Sequence, residues 1–215
     1  ITVTMAAAST AAADLNTIDG KTSVTVGATA ITELTGNATD VKTALASSGI
    51  TTVTNGSLAV NVNSGTASVA DINTINADSA TGIVTATATE TAAATLIGLT
   101  TTGTDAITVT MAAASTAAAD LNTINGKTSV AVNAAAVTTL TGTAAQVQLA
   151  YDANTAGTIT GLGDELVTIS DTTITAIALN DLDSATAGAI NATSVNTLTG
   201  NATDVKTALA SSGIT

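Results

Sequence analysis

The sequence predicts an α/β protein, a solenoid of strand–helix coils of about 25 residues each, with parallel strands. Three observations support this prediction. Long words recur along the 215 residues, a shorter strand–helix pattern recurs within them, and the connections between strands are too long for hairpins. An all-β solenoid is the alternative, because the chain is rich in β-branched Thr and its short Ala/Thr-rich helices have weak intrinsic propensity.

Two long sequence words each occur twice. Residues 1–19 recur at 107–125 with one change, at the last position, and residues 34–51 recur at 198–215 without any change. Such identity within one chain indicates duplication of a repeat unit.

This duplication predicts the domain organisation. Residues 1–215 are expected to form a single continuous repeat array, with super-repeats at about 1–106 and 107–215. The array is expected to be an excerpt of a longer one, or one subunit that stacks on others.

A shorter unit lies within these words. It starts with a small residue and an acid or amide, continues with apolar residues at helical spacing, passes a glycine and enters a β-branched alternation. The acid or amide stands at Asp14, Asp40, Asp71, Asp120, Gln146 and Asp204, and degenerate copies fall near Ala94 and Ala178. Apolar pairs such as Val41 and Ala44, or Leu15 and Ile18, are predicted to form the buried face of each helix.

The start of each predicted helix carries a capping signal. In four copies a short polar side chain stands three residues before the acid or amide and fits a capping box: it can accept a bond from a free N–H of the first turn, and the acid or amide can reach back to the cap residue. These pairs are Asn37 with Asp40, Ser68 with Asp71, Thr143 with Gln146, and Asn201 with Asp204. The glycines predicted to end helices are Gly20, Gly49, Gly126, Gly157 and Gly213.

Strands are predicted where β-branched residues alternate with others. They are expected near residues 1–4, 22–26, 50–54, 58–62 and 82–87, and again near 107–110, 128–132, 157–160, 166–170 and 187–191. A further recurring element has apolar residues three apart, followed by Thr-Gly, and is predicted to be a short helical turn. Its copies are Ile31/Leu34, Val137/Leu140 and Val195/Leu198.

Composition excludes several classes of function. The chain has no His, Cys, Pro, Trp or Phe, and Tyr151 is its only aromatic residue. Without thiolate or imidazole ligands, zinc fingers, iron–sulfur and haem sites, and Ser-His-Asp or Cys-His centres are excluded. Four basic against 16 acidic residues, a net charge of −12, disfavour nucleic acid as a partner, because phosphate contacts need clustered cations. No apolar run reaches the about 18 residues of a membrane span.

Acidic residues are the candidates for a metal site. The densest acidic spots are Asp164 and Glu165 with Asp171, and Asp181 with Asp183, whose oxygens suit Ca²⁺. Neither an EF-hand loop nor the glycine-rich nonapeptide of calcium-binding β-helices occurs, so these acids are interpreted as solvated loop residues. No other cofactor is predicted. An enzyme is not predicted either, because a pair of glycosidase carboxylates would lack aromatic and basic neighbours.

Threonine and lysine recur at equivalent repeat positions. Thr-x-Thr pairs such as Thr108/Thr110 would form ice-binding rows if they stacked regularly, but Thr also fills solvent-facing strand positions because it is β-branched and polar. Lys42 and Lys206 are interpreted as surface charges that pair with acids of the next coil.

Several words resemble a known class of repeats. The segments DLNTIDGKTSV, AAAVTTLTGTAAQV, ASSGIT and TGLGDELVTISDTTI are similar to repeats of very large Ala/Thr-rich cell-surface proteins of marine cyanobacteria, described as β-strand repeat-containing proteins. The resemblance covers most of the chain and is weakest over residues 57–106. It implies a secreted or cell-surface protein of repetitive construction, and it implies no catalytic residues.

These observations predict a non-enzymatic structural repeat protein, part of an extracellular filament, surface layer or giant adhesin. It is expected outside the cell or on the cell surface, and to associate with itself into a polymer or to continue in a longer repeat chain. The alternative is a binding module that presents an ice-, calcium- or glycan-binding surface on one face of the solenoid.

Overall fold

The computed structural model describes residues 1–52, 58–79 and 81–215. Within these ranges eight helices alternate with fifteen strands, and every strand pair is parallel. The predicted α/β class, a repeat of strand and helix with parallel strands, is confirmed, and the all-β alternative is wrong.

The helices begin and end close to the predicted positions. They are α1 (Ala12–Asp19), α2 (Ala38–Ala46), α3 (Val69–Asp78), α4 (Ala93–Leu96), α5 (Ala118–Asn125), α6 (Ala144–Thr155), α7 (Ala176–Ala185) and α8 (Ala202–Ala210). The degenerate copies expected near Ala94 and Ala178 are therefore α4 and α7.

The strands are short, with two to four residues each. They are β1 (Ser9–Ala11), β2 (Val26–Gly27), β3 (Glu33–Gly36), β4 (Ile50–Thr51), β5 (Ala59–Val62), β6 (Val84–Thr87), β7 (Ala106–Thr108), β8 (Ser115–Ala117), β9 (Val132–Asn133), β10 (Thr139–Gly142), β11 (Ile159–Thr160), β12 (Leu166–Ile169), β13 (Thr173–Thr175), β14 (Ile190–Asn191) and β15 (Thr197–Thr199).

The chain forms two compact units. Unit 1 contains Ile1–Thr91, Gly98–Val109 and Lys127–Val130, and unit 2 contains Ala92–Ile97, Thr110–Gly126 and Ala131–Thr215. A single continuous array with two super-repeats stays a prediction.

In unit 1, successive coils add parallel strands to one sheet in chain order. The order is β1-β3-β5-β6-β7, and β2 pairs with β4 in a second sheet of two strands. Ser9 pairs with Glu33, and Glu33 pairs with Ala59, offsets of 24 and 26 residues. The helices α1, α2 and α3 pack against one another in the same order. Equivalent residues of neighbouring coils therefore lie side by side.

Unit 2 is built in the same way. Its largest sheet has the order β8-β10-β12-β14, and β9-β11 and β13-β15 form two further parallel pairs. Thr139 pairs with Ser115 on one edge and with Leu166 on the other, offsets of 24 and 27 residues. The helices α4 to α8 pack in chain order.

The core consists of Leu, Ile, Val and Ala side chains from both element types. Leu15, Val41 and Leu121 on the helices are fully buried, as are Leu34 and Leu140 on the strands. The helical positions are those that the apolar spacing predicted. Because these side chains are small or medium in size, neighbouring coils can pack closely without aromatic residues.

The predicted short helical turns are wrong. Leu34, Leu140 and Leu198 lie in the strands β3, β10 and β15, and Leu34 pairs with Thr10 on one side and Val60 on the other. Two apolar residues three positions apart do not distinguish a helical turn from a short strand that follows a turn. Here it arises because Ile31 stands in a turn before the strand and both side chains point into the core.

The predicted strands near 1–4, 22–26 and 128–132 are also displaced. Thr4 forms only an isolated bridge to Gly27, and the strand of this first coil is β1. The other two strands start at Val26 and Val132. In the predicted strand 50–54, residues 53 and 54 lie outside the described residues.

A glycine joins strand to helix in three copies of the Leu-Thr-Gly word. Gly36, Gly142 and Gly200 have φ values of 147°, 150° and 154°, a region that residues with a Cβ rarely adopt. At Gly142 a Cβ would also lie 2.9 Å from Gln146 Oε1. This Gly therefore turns the chain from the strand into the helix cap.

Truncation of one buried leucine tests this core assignment. Leu121→Ala is expected to lower the free energy of unfolding by about 2–5 kcal/mol, because it leaves a cavity between the helix and the sheet. Leu149→Ala is the matched control. Its side chain on α6 is 56% exposed, and a change within about 0.5 kcal/mol is expected. Urea unfolding followed by far-UV circular dichroism measures both, and equal losses would contradict the assignment.

Candidate functional site

The N-termini of the helices carry the predicted caps. Each capping side chain accepts a hydrogen bond from a backbone N–H of the first turn: Asn37 from Asp40 (2.9 Å), Ser68 from Asp71 (3.1 Å), Thr143 from Gln146 (3.3 Å) and Asn201 from Asp204 (3.0 Å). The reciprocal bond of a full capping box forms at Thr143, whose N–H donates to Gln146 Oε1 (3.0 Å). The four predicted caps are confirmed, but among these four only Thr143 has the reciprocal bond, so the full capping box is wrong for the other three. Thr175 caps α7 in addition.

One polar contact recurs between neighbouring helices. When each helix is numbered from its first residue, the side chain of the fifth residue (N5) reaches the third residue (N3) of the helix in the next coil. We call this the N5–N3 contact. In three cases an asparagine amide donates to a backbone carbonyl: Asn16 Nδ2 to Asp40 O (3.0 Å), Asn122 Nδ2 to Gln146 O (2.9 Å) and Asn180 Nδ2 to Asp204 O (3.1 Å).

The N5–N3 contact was missed from the sequence, although a signal was present. An asparagine follows Asp-Leu in both copies of the first long word, and the same spacing gives Asn73 and Asn180. Asn73 donates instead to Gly98 O (2.8 Å) and accepts from the Thr100 N–H (2.8 Å). Asparagine within a helix is unfavourable by propensity, so its recurrence beside a buried leucine indicates a specific partner.

Two of these asparagines have only part of their hydrogen-bonding capacity used. In the described part of the chain, the side-chain oxygens of Asn16 and Asn122 are buried and have no hydrogen-bond partner. A buried acceptor without a partner destabilises the folded state. The hydrogen bond that the amide donates to the next coil offsets this cost.

The fourth N5–N3 contact is an ion pair. Lys42, at N5 of α2, donates from Nζ to Asp71 Oδ1, at N3 of α3. This bond to Lys42 lowers the pKa of Asp71 below its ordinary value, against a smaller opposing effect of desolvation. The predicted pairing of this lysine with an acid of the next coil is confirmed. Both side chains are about one third exposed, so the pair contributes little stability and serves mainly to set the register.

Other acids bond to groups of the next or the preceding coil. Asp19 Oδ2 and Asp183 Oδ2 each accept from the first serine of a Ser-Ser-Gly word one coil later, Ser47 Oγ and Ser211 Oγ, both at 2.7 Å. Asp19 is replaced by Asn125 in the second copy of its word, where Ser-Ser-Gly is also missing one coil later. The acid and its serine therefore occur together.

Two acids stabilise the start of a helix in the preceding coil. Glu90 Oε2 accepts from the Val69 N–H (2.9 Å), and Asp171 Oδ2 accepts from the Ala144 N–H (2.6 Å). Both amides belong to the first residue of a helix, where a negative charge is favourable.

A buried carboxylate organises the loop before β12. Glu165 Oε1 accepts from the Tyr151 hydroxyl (2.5 Å), and Oε2 accepts from the N–H groups of Gly163 (2.8 Å) and Asp164 (3.2 Å). Desolvation raises the pKa of the Tyr151 hydroxyl, and its bond to Glu165 raises it further. The phenol therefore stays protonated and acts as a hydrogen-bond donor.

The five calcium candidates are placed as follows. Glu165 is buried, and both of its carboxylate oxygens accept hydrogen bonds. Asp171 accepts from the N–H of the first residue of α6, and Asp183 accepts from the Ser211 hydroxyl. Asp164 and Asp181 are exposed. Across residues 1–52, 58–79 and 81–215, no group of three or more acids is placed to hold a metal ion. Calcium binding, the alternative for these acids, stays a prediction. Their interpretation as solvated loop residues is wrong for Glu165, which is buried, and for Asp181 and Asp183, which lie in the helix α7.

In the part of the chain that the structure describes, paired threonines form rows two coils deep. Thr87 pairs with Thr108, Thr141 with Thr168, and Thr173 with Thr197. The row through Thr141 has Ala117 on one side and Asn191 beyond Thr168 on the other. This arrangement matches the interpretation of Thr as a solvent-facing strand residue better than a regular ligand-binding row.

Comparisons with known proteins add no assignment: the sequence matches no protein-family model, no curated protein and no solved structure. Among the helices of the described residues, none has both the length and the apolar character needed to cross a bilayer.

Asn122→Asp tests the N5–N3 contact. A carboxylate in place of the amide would face the Gln146 carbonyl and could not donate, so the free energy of unfolding is expected to fall by about 1–3 kcal/mol at pH 7. The loss is expected to shrink at a pH where the new acid is protonated and can donate. Urea unfolding at the two pH values measures this.

Asn133→Asp is the matched control for this change. Asn133 Oδ1 accepts from the Ala135 N–H (3.1 Å), a role that a carboxylate keeps. A change within about 0.5 kcal/mol is expected. The same loss in both variants would show that charge alone, and not the lost donor, is responsible.

Proposed function

We propose that the chain is a non-enzymatic structural repeat protein, a module of an extracellular filament, surface layer or giant adhesin. One observation carries this proposal: most of the polar contacts described above, including those of the candidate acids Asp171 and Asp183, join a coil to the one before or after it. The N5–N3 contacts, the Asp–Ser pairs and the acids at helix starts all join successive coils.

The work of such a protein is mechanical. Within each unit successive coils add parallel strands to one another, and in four helix pairs one amide or ion pair fixes the register. Stability then accumulates from coil to coil, as in other repeat proteins, and the number of coils sets the length. The acidic surface, with a net charge of −12, keeps the material soluble and discourages lateral aggregation.

The proposal is tested by pulling the chain between its two termini in an atomic force microscope. Because each coil is held chiefly by its neighbours, extension is expected in several steps. The release of one coil of 21–27 residues adds about 70–95 Å of contour length per step. Release of the whole chain in one step would contradict a coil-by-coil structural element.

The same pulling experiment in the presence of calcium distinguishes the structural function from the alternative, a calcium-binding module. A structural module held by packing and hydrogen bonds is expected to unfold at the same forces in about 5 mM CaCl₂ and in the presence of a chelator. Forces that rise in calcium, and no longer rise in the variant Asp181→Asn/Asp183→Asn, would indicate a calcium-binding module instead.

A further inference from the structure

The segment that follows α4 lies against α3 as a loop. Helix α4 ends after four residues, whereas the other described helices have 8–12 residues. Asn73 Nδ2 donates to Gly98 O (2.8 Å), and Asn76 Nδ2 donates to Thr100 O (3.2 Å). Two side chains of α3 therefore bond to the polar backbone of this loop, where other helices of the chain contact the helix of the next coil.

A polar pocket lies beside α3 and this loop, in the interior of unit 1. Its volume is ≈ 240 Å³, which is room for a small ion with several water molecules. We call it the α3 pocket. Its lining offers hydroxyl, amide and carboxylate oxygens. The described residues that line it are Asn76, Thr81, Gly82, Thr102, Thr104 and Asp105.

Asp105 brings a buried negative charge to this pocket. The residue is 4% exposed. Its Oδ1 accepts from the Val84 N–H (2.9 Å), and its Oδ2 accepts from the N–H (2.8 Å) and the hydroxyl (3.3 Å) of Thr102. Among the described residues no lysine forms an ion pair with it. A buried carboxylate without a counter-charge is unfavourable, even when neutral donors surround it.

The following coil shows that the bond to the Val84 N–H does not require a charge. Thr128 Oγ1 accepts from the Ile107 N–H (2.9 Å), 21 residues earlier in the chain, and Asp105 accepts from the Val84 N–H, also 21 residues earlier. Both bonds are buried. A neutral hydroxyl therefore satisfies the equivalent N–H. The charge of Asp105 needs a further explanation, and the pocket that it lines supplies one.

We propose that the α3 pocket binds a small monovalent metal cation, Na⁺ or K⁺, which neutralises Asp105. The ligands that the lining offers are the Asp105 carboxylate, the hydroxyls of Thr102 and Thr104, and the amide oxygen of Asn76, and water completes the shell. Oxygen ligands suit hard cations, and a site with a single carboxylate has too little charge for tight binding of a divalent ion.

The bound cation joins α3 to the loop that follows α4 and stabilises the folded chain. One negative charge is balanced by one monovalent ion, so the pair carries no net charge within the pocket. This site goes beyond the proposed structural function and does not depend on it.

Thermal unfolding at constant ionic strength, followed by circular dichroism, tests this site. The unaltered chain is expected to have a Tm about 2–4 °C higher in about 0.3 M NaCl or KCl than in the same concentration of choline chloride, because a ligand that binds only the folded state raises Tm. Choline is a bulky organic cation that the oxygen ligands of the pocket do not coordinate. The salt that gives the larger rise identifies the ion.

Three variants assign the effect to the pocket. Asp105→Asn removes the charge and keeps an oxygen for the Val84 N–H, and it is expected to abolish the difference in Tm between the salts. Asp181→Asn is the matched control, because it changes the net charge equally at an exposed acid outside the pocket, and it should keep the difference. Thr104→Val removes one hydroxyl at nearly equal volume and leaves the described bonds of Asp105 in place. It is expected to reduce the difference, and it tests the site even if Asp105→Asn does not fold.

Three results would overturn the site. The first is an equal Tm in all three salts. The second is a difference that persists unchanged in folded Asp105→Asn or in Thr104→Val, which would be a general effect of salt. The third is a difference that Asp181→Asn abolishes as completely as Asp105→Asn does. None of these results alters the stepwise extension expected under force, so failure of the cation site is distinguishable from failure of the structural function.

Discussion

Parallel pairing of strands at a nearly constant offset is the constraint on which the rest of this structure depends. Because Ser9 lies beside Glu33 and Ser115 beside Thr139, both 24 residues apart, the start of a helix lies next to the start of the following one within each unit. Groups that recur at one position of the repeat therefore meet their own equivalents. A side chain at N5 can reach N3 of the next helix only while this register holds, and a shift by one residue would turn every apolar strand residue to the opposite face.

The same constraint explains how a chain with a single aromatic residue forms a core. The first residue of most helices is alanine, and Ala12, Ala118 and Ala176 are fully buried. Small residues at this position let neighbouring helices approach closely, and the asparagine at N5 then supplies a directional contact between them. Leu, Ile and Val fill the space between helix and sheet. Close packing of small groups thus replaces the large buried area that aromatic residues usually contribute.

The elements with a local signal could be predicted from the sequence, and those with a non-local origin could not. Caps such as Asn37 and Thr143 bond within their own first turn, so their sequence context was sufficient. The strands β3 and β10 have little periodicity of their own and exist because strands on both sides pair with them. The partners of Asn16 and Asp19 lie 24 and 28 residues away, so only the register of the coils reveals them. Calcium binding at Asp164, Asp171 or Asp181 has no such geometric support and stays a prediction.

Disulfide formation between engineered cysteines measures this register directly, because the chain has no cysteine of its own. Thr173 and Thr197 are exposed and face each other on β13 and β15. Neighbouring Cα atoms in such a pair are about 4.8 Å apart, within the range that a disulfide spans. Thr173→Cys/Thr197→Cys is expected to cross-link readily under mild oxidation. Thr175→Cys/Thr197→Cys, on the same face but two residues out of register, is expected not to do so. Equal cross-linking of the two pairs, or none in the first while the chain stays folded, would contradict in-register parallel coils.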